Sequence, residues 1–298
     1  MIQLSKRLQA VAELAAGIGA DVQGDAGRIG ADVQGDAGRI GADAQRYAGR
    51  IRCVADVGTD HGYIPIRLVE QGIADRAIAM DIRTGPLQRA QEHIREHKLE
   101  EYIETRLSDG LSALRSEEAQ VIVIAGMGGA TMSRILEAGQ SVISKGTILV
   151  LQPQSELYEF RRYLAEHDFI LLAENMVVED GKYYPMMKVQ RSSAAWKDAH
   201  PETAVSRRDN VVHQDGIVCE KTFPYTELDL QYGPLLLAQR HPVLNEFLLW
   251  QLAQKERILE QIQSSGKGSV SSERREHKLQ EEIEGIRQTL KRHGFRVL

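Results

Sequence analysis

The chain has 298 residues, 42% hydrophobic and 27% charged, which is ordinary for a soluble globular protein with one sizeable core plus an appendage, or two domains. Its net charge of −5 excludes a globally basic glove for nucleic acid, so any RNA contact must rest on a local basic patch. Cys53 and Cys219 form no CxxC pair, no apolar stretch reaches membrane-spanning length, and no signal-peptide core follows Lys6 and Arg7, which together predict a reduced, cytoplasmic protein with no membrane partner.

Residues 1–16 predict an amphipathic helix with Leu4, Leu8, Val11, Ala12 and Ala15 on one face and Lys6 and Arg7 outside it. Residues 18–50 form an eleven-residue tandem repeat, in which 18–28 recurs as 29–39 and degenerates over 40–50. Its apolar steps of 4, 4 and 3 could mark a helix face. Three glycines in each of the first two copies argue against that, at about 1 kcal/mol apiece relative to alanine. An inserted segment without chemistry is expected there.

From residue 51 onward strands and helices alternate. Strands are predicted near 52–57, 76–81, 102–107, 121–125 and 147–151, with helices near 64–71, 85–97, 129–138 and 155–167. Residues 170–178 and 182–189, around Glu179-Asp-Gly181, predict a closing hairpin. Five strands joined by helical crossovers imply a parallel sheet buried on both faces, and the hairpin raises it to seven strands, one necessarily antiparallel. Residues 191–241 show weaker periodicity. In 243–298, Leu248, Leu252, Leu259 and Ile262, then Leu279, Ile283, Ile286 and Leu290, predict two helices broken at 264–269, as an antiparallel hairpin or coiled coil with Lys255 in an apolar slot. Two domains are expected, 1–190 and 191–298.

The stretch 53–66 carries the chemistry. A short apolar strand runs into Asp56-x-Gly58-x-Asp60-x-Gly62 and then a helix, the opening unit of a cofactor-binding α/β sheet. The dinucleotide pattern G-x-G-x-x-G is absent, and Asp60 would repel a pyrophosphate. A cationic, sugar-bearing cofactor such as S-adenosylmethionine suits the turn better. Further strand ends carry Asp81, placed to accept both ribose hydroxyls, and Asp109-Gly110, placed to accept from an adenine amino group. Gly126, Met127 and Gly128 follow the fourth strand and let backbone approach the methionine end. Taken singly, Asp81 reads equally as a helix cap and Asp109 as a turn residue. Jointly they favour a methyltransferase over a kinase or dehydrogenase, and neither a metal-ligand cluster nor a Walker motif is present.

Six stretches carry a resemblance: Leu4-Ser-Lys-Arg-Leu-Gln-Ala-Val-Ala-Glu13, Ala55-Asp-Val-Gly-Thr-Asp-His-Gly-Tyr63, Ile124-Ala-Gly-Met-Gly-Gly129, Ile135-Leu-Glu-Ala-Gly139, Leu151-Gln-Pro153 and Val178-Glu-Asp-Gly-Lys-Tyr183. The sequence resembles the bacterial tRNA (adenine(22)-N1)-methyltransferase family, TrmK. That resemblance implies a class I S-adenosylmethionine-dependent α/β fold with a C-terminal helical coiled-coil hairpin, and methyl transfer to N1 of adenine 22 in tRNA. It implies Asp60 as the catalytic residue, with Asp56, Gly58, Asp81, Asp109, Gly110 and Gly126 to Gly128 around the cofactor. The target base is expected against His61 or Tyr63 and the Pro153–Gln154 turn. Docking of tRNA is expected on Lys6, Arg7, Arg161 and Arg162, and on Arg274, Arg275, Lys278, Lys291 and Arg292. Departures from the family pattern are Asp81 where glutamate is common, Gln154 where asparagine is common, and Pro185 in place of an acidic residue. A monomer or weak dimer is expected. Two other readings stay open: a methyltransferase acting on a small molecule or protein, and a non-catalytic RNA-binding protein.

Overall fold

Strand β1 (Ile51–Val57) lies inside a seven-stranded sheet because both of its faces are apolar, with Val54, Ala55 and Val57 buried. The computed structural model describes residues 2–17, 50–191, 208–212, 218–222, 225–264 and 270–296. All of the repeat except Arg50 lies outside the described residues.

The chain continues through α2 (Tyr63–Glu70), β2 (Ala74–Asp81), α3 (Thr84–Glu96), β3 (Ile103–Leu107), β4 (Val121–Met127), α4 (Gly129–Ala138), β5 (Ile148–Pro153), α5 (Leu157–Glu166), β6 (Phe169–Glu179) and β7 (Lys182–Arg191). The sheet order is β3-β2-β1-β4-β5-β7-β6, with the first five strands parallel and β7 antiparallel to both β5 and β6. Alternate residues go to opposite faces. Val54, Ala77, Val121, Val123 and Val150 pack in one core with α1 (Lys6–Ala16) and α2. Ala55, Ile78, Ile122, Ile124 and Leu149 pack in the other with Met132 and Leu136 of α4 and Phe160 and Leu164 of α5.

The connection from β3 to β4 differs from the helical crossovers expected, since its thirteen residues fold as turns. Leu111 and Leu114 bury separately, and the Ser108 hydroxyl holds the turn by donating to Gly110 O (2.9 Å) and accepting from Ala113 N (3.1 Å). Strand β4 also outruns its expected end at 125. Gly126 takes φ +80°, the register shifts there, and Met127 pairs again with Pro153. Burial pushes the Cys53 thiol on β1 up to about 11, with Glu118 adding to the shift. Its alkylation by iodoacetamide at pH 8, followed by peptide mass spectrometry, is expected to run about a hundredfold slower in the folded chain than in the unfolded one.

Compact units divide at Pro224/Tyr225, later than the 190/191 division expected, because a ribbon of β8 (Arg208–Val212) and β9 (Val218–Thr222) falls within the first. The second unit holds α6 (Glu227–Tyr232), α7 (Pro234–Ala238), α8 (Pro242–Ser264) and α9 (Val270–Arg292). Its two long helices are antiparallel, as the pairs Lys255–Glu282 and Gln263–Glu276 require. Leu244, Leu248, Leu279, Ile283, Ile286 and Leu290 supply its buried seam. Lys255 is tolerated among them because Glu282 neutralises it across the hairpin. Among the described residues no helix is long and apolar enough to cross a membrane.

Candidate functional site

Strand order reverses between β1 and β4, and this reversal opens a crevice at the carboxyl ends of the parallel strands. The expected acidic residues fall there. Asp56 is the penultimate residue of β1, Asp81 is the last of β2, and Asp109 follows β3. Asp81 is buried, and its Oδ1 accepts from Arg83 N (2.8 Å), with the Arg83 guanidinium 3.7 Å away. Asp109 is exposed and begins the turn held by Ser108.

Two residues not singled out in the sequence complete this corner. Ile82 follows Asp81 and is 60% exposed, and Leu107, in register with Asp81 on the neighbouring strand, is 59% exposed. Large apolar side chains are thus left in water at two adjoining strand ends, on the edge of the sheet from which Asp109 follows. An apolar residue directly after an acidic strand end was the available signal.

Burial pushes the Asp56 carboxyl up to about 6, with the Thr59 hydroxyl opposing and Asp81 adding to the rise. Thr59 is itself buried, and its hydroxyl makes no hydrogen bond of standard geometry within the described residues. A carboxyl whose folded pKa is raised gives stability below its unfolded pKa and loses it as pH climbs through the folded value. Ionising Asp56 between about pH 4 and 6 therefore costs about 3 kcal/mol. Asp56→Asn is expected to stabilise the free protein at pH 7 by that order and not at pH 4, as read from denaturant unfolding at the two pH values.

Gly58 adopts φ +79°, where a Cβ would stand 2.2 Å from the Met127 methyl, so Met127 folds directly over the turn. Gly58 N and Thr59 N both donate to Met80 O at 2.8 Å, which fixes the turn to the end of β2. Gly128 and Gly129 sit under the Ser155–Glu156 loop. A Cβ on Gly129 would lie 2.8 Å from Ser155 O and 2.9 Å from Glu156 O, both backbone atoms. The Glu156 carboxylate accepts from Ala130 N (3.0 Å) and so caps α4. Gly110, at φ +56°, abuts Ile135 of α4.

The segment after Thr59 forms the outer wall. Asp60 is 61% exposed and pairs with Arg89 Nη2 of α3 (2.5 Å) and His61 Nε2 (3.3 Å). The Arg89 hydrogen bond, reinforced by His61 and Arg83, holds the Asp60 carboxyl below the usual carboxylate range. His61, Tyr63 and His93 of α3 have nearly parallel rings with centroids 5.0, 5.2 and 5.4 Å apart. Three such equal separations describe a triangle of rings, not a single column. His93 Nδ1 also contacts His61 O at 2.9 Å. All three rings are half-buried, which leaves aromatic surface open beside Asp60. Arg89 and His93, absent from the sequence-derived site, stand at i and i+4 on one face of α3.

The remaining expected residues separate. Pro153 ends β5, and Gln154 N donates to Met127 O (2.8 Å), which ties that turn to β4. Arg7 reaches the same place: its Nη1 donates to Gln152 Oε1 (3.1 Å) and lies 3.2 Å from where a Cβ on Gly126 would be, while its guanidinium rests over the Tyr184 ring. Gln152 is fully buried and was not anticipated. Lys6 is exposed on α1. Arg161 is a correction: it is 5% exposed and ion-paired with buried Glu174 (3.1 Å), so it joins α5 to β6 and offers no surface to RNA. Arg162 is exposed beside Glu166, its i+4 neighbour. Arg274, Arg275, Lys278, Lys291 and Arg292 are exposed on α9 in the second unit.

Comparison with known proteins bears on this crevice. Residues 43–187 match the family described as Methyltransferase domain. The tRNA (adenine(22)-N(1))-methyltransferase of Bacillus subtilis is 37% identical over 45% of this chain and 56% of its own length. A Mycoplasma pneumoniae relative is 32% identical over 47% of this chain and 63% of its own. The chain thus spans little more than half the length of the curated relatives it matches. The crystal structure of the B. subtilis m1A22 tRNA methyltransferase TrmK superposes with a TM-score of 0.66 at 26% identity, covering 97% of this chain and 100% of that one. The Streptococcus pneumoniae protein Sp1610, solved in complex with S-adenosyl-L-methionine, superposes at 0.65 with 26% identity over 97% of this chain and 100% of that one. The seven-stranded Rossmann-like methyltransferase fold expected from the sequence is borne out, with a helical C-terminal region.

Proposed function

We propose that this chain, whose resemblance to the TrmK family is borne out in sequence and in fold, is a cytoplasmic S-adenosylmethionine-dependent methyltransferase that places a methyl group on N1 of adenine 22 in tRNA. The observation that carries the reading is the joining of two settings in one crevice: acidic strand ends with exposed apolar side chains, and the Asp60 carboxylate beside three rings.

The residues present fit the cofactor. Asp81 would take the ribose hydroxyls, Ile82 and Leu107 the faces of the adenine, and Asp109 its amino group. Asp56 and the buried Thr59 hydroxyl offer polar atoms beneath the glycine turn, where a cationic ligand would offset the cost of ionising Asp56. When bound, S-adenosylmethionine supplies an electrophilic methyl group.

Adenine N1 already carries an in-plane lone pair, so no strong base is needed to generate the nucleophile. The task of the protein is placement. His61, Tyr63 and His93 present ring surface against which an extruded base stacks. The ionised Asp60 carboxylate accepts a hydrogen bond from the exocyclic N6 amine, which orients the ring. It also stabilises the positive charge that grows on the base as the N1 lone pair forms its bond to the methyl carbon. The exposed Gln154 of the Pro153–Gln154 turn, tied to β4 by its N–H to Met127 O, is the further contact expected for the base. Lys6, Arg162 and the basic residues of α9 supply the electrostatic attraction for tRNA, and the chain acts as a monomer or weak dimer.

Incubation with S-adenosylmethionine and unmodified tRNA, followed by digestion to nucleosides and mass spectrometry, is expected to yield 1-methyladenosine. Methylated protein or small molecules without modified tRNA would replace this reading with the free-substrate alternative.

A further inference from the structure

Asp60 and Arg89 pose a difficulty that rests on the function just proposed. A carboxylate that must meet an incoming base is already occupied by a guanidinium, at 2.5 Å. The pair is exposed on both sides, 61% for Asp60 and 46% for Arg89. An ion pair that open to water is held only weakly, so parting it costs little. A phosphodiester is a better partner for an arginine, since it accepts two parallel N–H donors and RNA releases counterions when neutralised. Arg89 lies on the helix face that also carries His93, beside the ring cluster, and Arg83 (76% exposed) contributes a second cation near Asp60. Any nucleotide whose base stacks on these rings brings its own backbone phosphates to that rim. Gly85, one turn earlier, lies 3.9 Å from Arg89 Nη1 at its would-be Cβ, so no side chain at that position blocks the guanidinium from moving along α3.

We propose that Arg89 is a positioning residue with two successive partners: it holds the Asp60 carboxylate in the free protein and passes to a backbone phosphate of the substrate RNA when the target base enters. The exchange leaves Asp60 ionised and free for the base in one motion, and keeps it paired when no substrate is bound.

The test is a double-mutant cycle on tRNA affinity, measured as a function of salt for the whole chain, Arg89→Gln, Asp60→Asn and the double variant. Arg89→Gln is expected to weaken binding about five- to tenfold and to flatten the slope of log K against log salt by about 0.7–0.9, the signature of one phosphate contact. Asp60→Asn is expected to tighten binding by up to about fivefold, because Arg89 no longer has to leave a partner. That gain is expected to shrink when Arg89 is absent, so the two effects are not additive. Arg89→Lys should restore the slope, and thermal melting should be unchanged in Arg89→Gln because the pair is exposed. An unchanged slope in Arg89→Gln, or strict additivity, would overturn the exchange while leaving methylation of tRNA by the unaltered chain intact. Failure of the unaltered chain to bind tRNA would overturn both readings.

Discussion

Asp60→Asn is expected to lower kcat for tRNA methylation by about a hundred- to a thousandfold while leaving the affinity for S-adenosylmethionine unchanged. The size follows from losing one fixed charge aimed at a developing charge of opposite sign once the bound base has covered Asp60 from water. Asparagine keeps the shape and can still accept from the N6 amine, so what is lost is the negative charge itself. The folded state should scarcely notice, since Asp60 is largely solvent-exposed and its close partners among the described residues are the exposed Arg89 and half-buried His61. Single-turnover kinetics with saturating tRNA separates this from a binding defect, which the preceding argument predicts to run the other way. A variant that turns over within threefold of the parent would remove Asp60 from the chemistry.

The second large effect is on the cofactor. Asp81→Ala is expected to raise the dissociation constant for S-adenosylmethionine by about a hundredfold, because two hydroxyl hydrogen bonds to a charged acceptor are lost together. The same substitution frees Arg83 N from its 2.8 Å contact and removes a negative neighbour that raises the Asp56 carboxyl. Asp56 should then titrate lower, which partly offsets the structural loss in the free protein. Calorimetric titration reads the affinity, and an increase of less than threefold would show that Asp81 serves only to cap the turn at Arg83.

Much of this architecture is written in residue order. The runs ending at Val57, Asp81, Ala125 and Leu151 are apolar at successive positions and so on both sides, which required a sheet buried on both faces, and its acidic ends were visible as breaks in apolar runs. What local sequence could not display were partners from distant segments. Arg161 looks like any basic residue on an amphipathic helix until Glu174 of β6 stands opposite it. Arg89 and His93 look like ordinary polar residues on the outer face of α3 until the turn after β1 brings Asp60, His61 and Tyr63 against them. Gln152 is buried because Arg7, 145 positions earlier, arrives to satisfy its amide. Residues 108–120 lack a helix because two leucines and one serine suffice to cross that short gap.

The most direct measurement is a primer-extension reading of tRNA incubated with the purified chain and S-adenosylmethionine, since methyl on N1 blocks Watson–Crick pairing and stops reverse transcription. The account predicts a stop at adenine 22 that requires S-adenosylmethionine, disappears in tRNA carrying guanine at that position, and is lost with Asp60→Asn. Full-length extension through adenine 22, from a chain that still binds S-adenosylmethionine and tRNA, would contradict it.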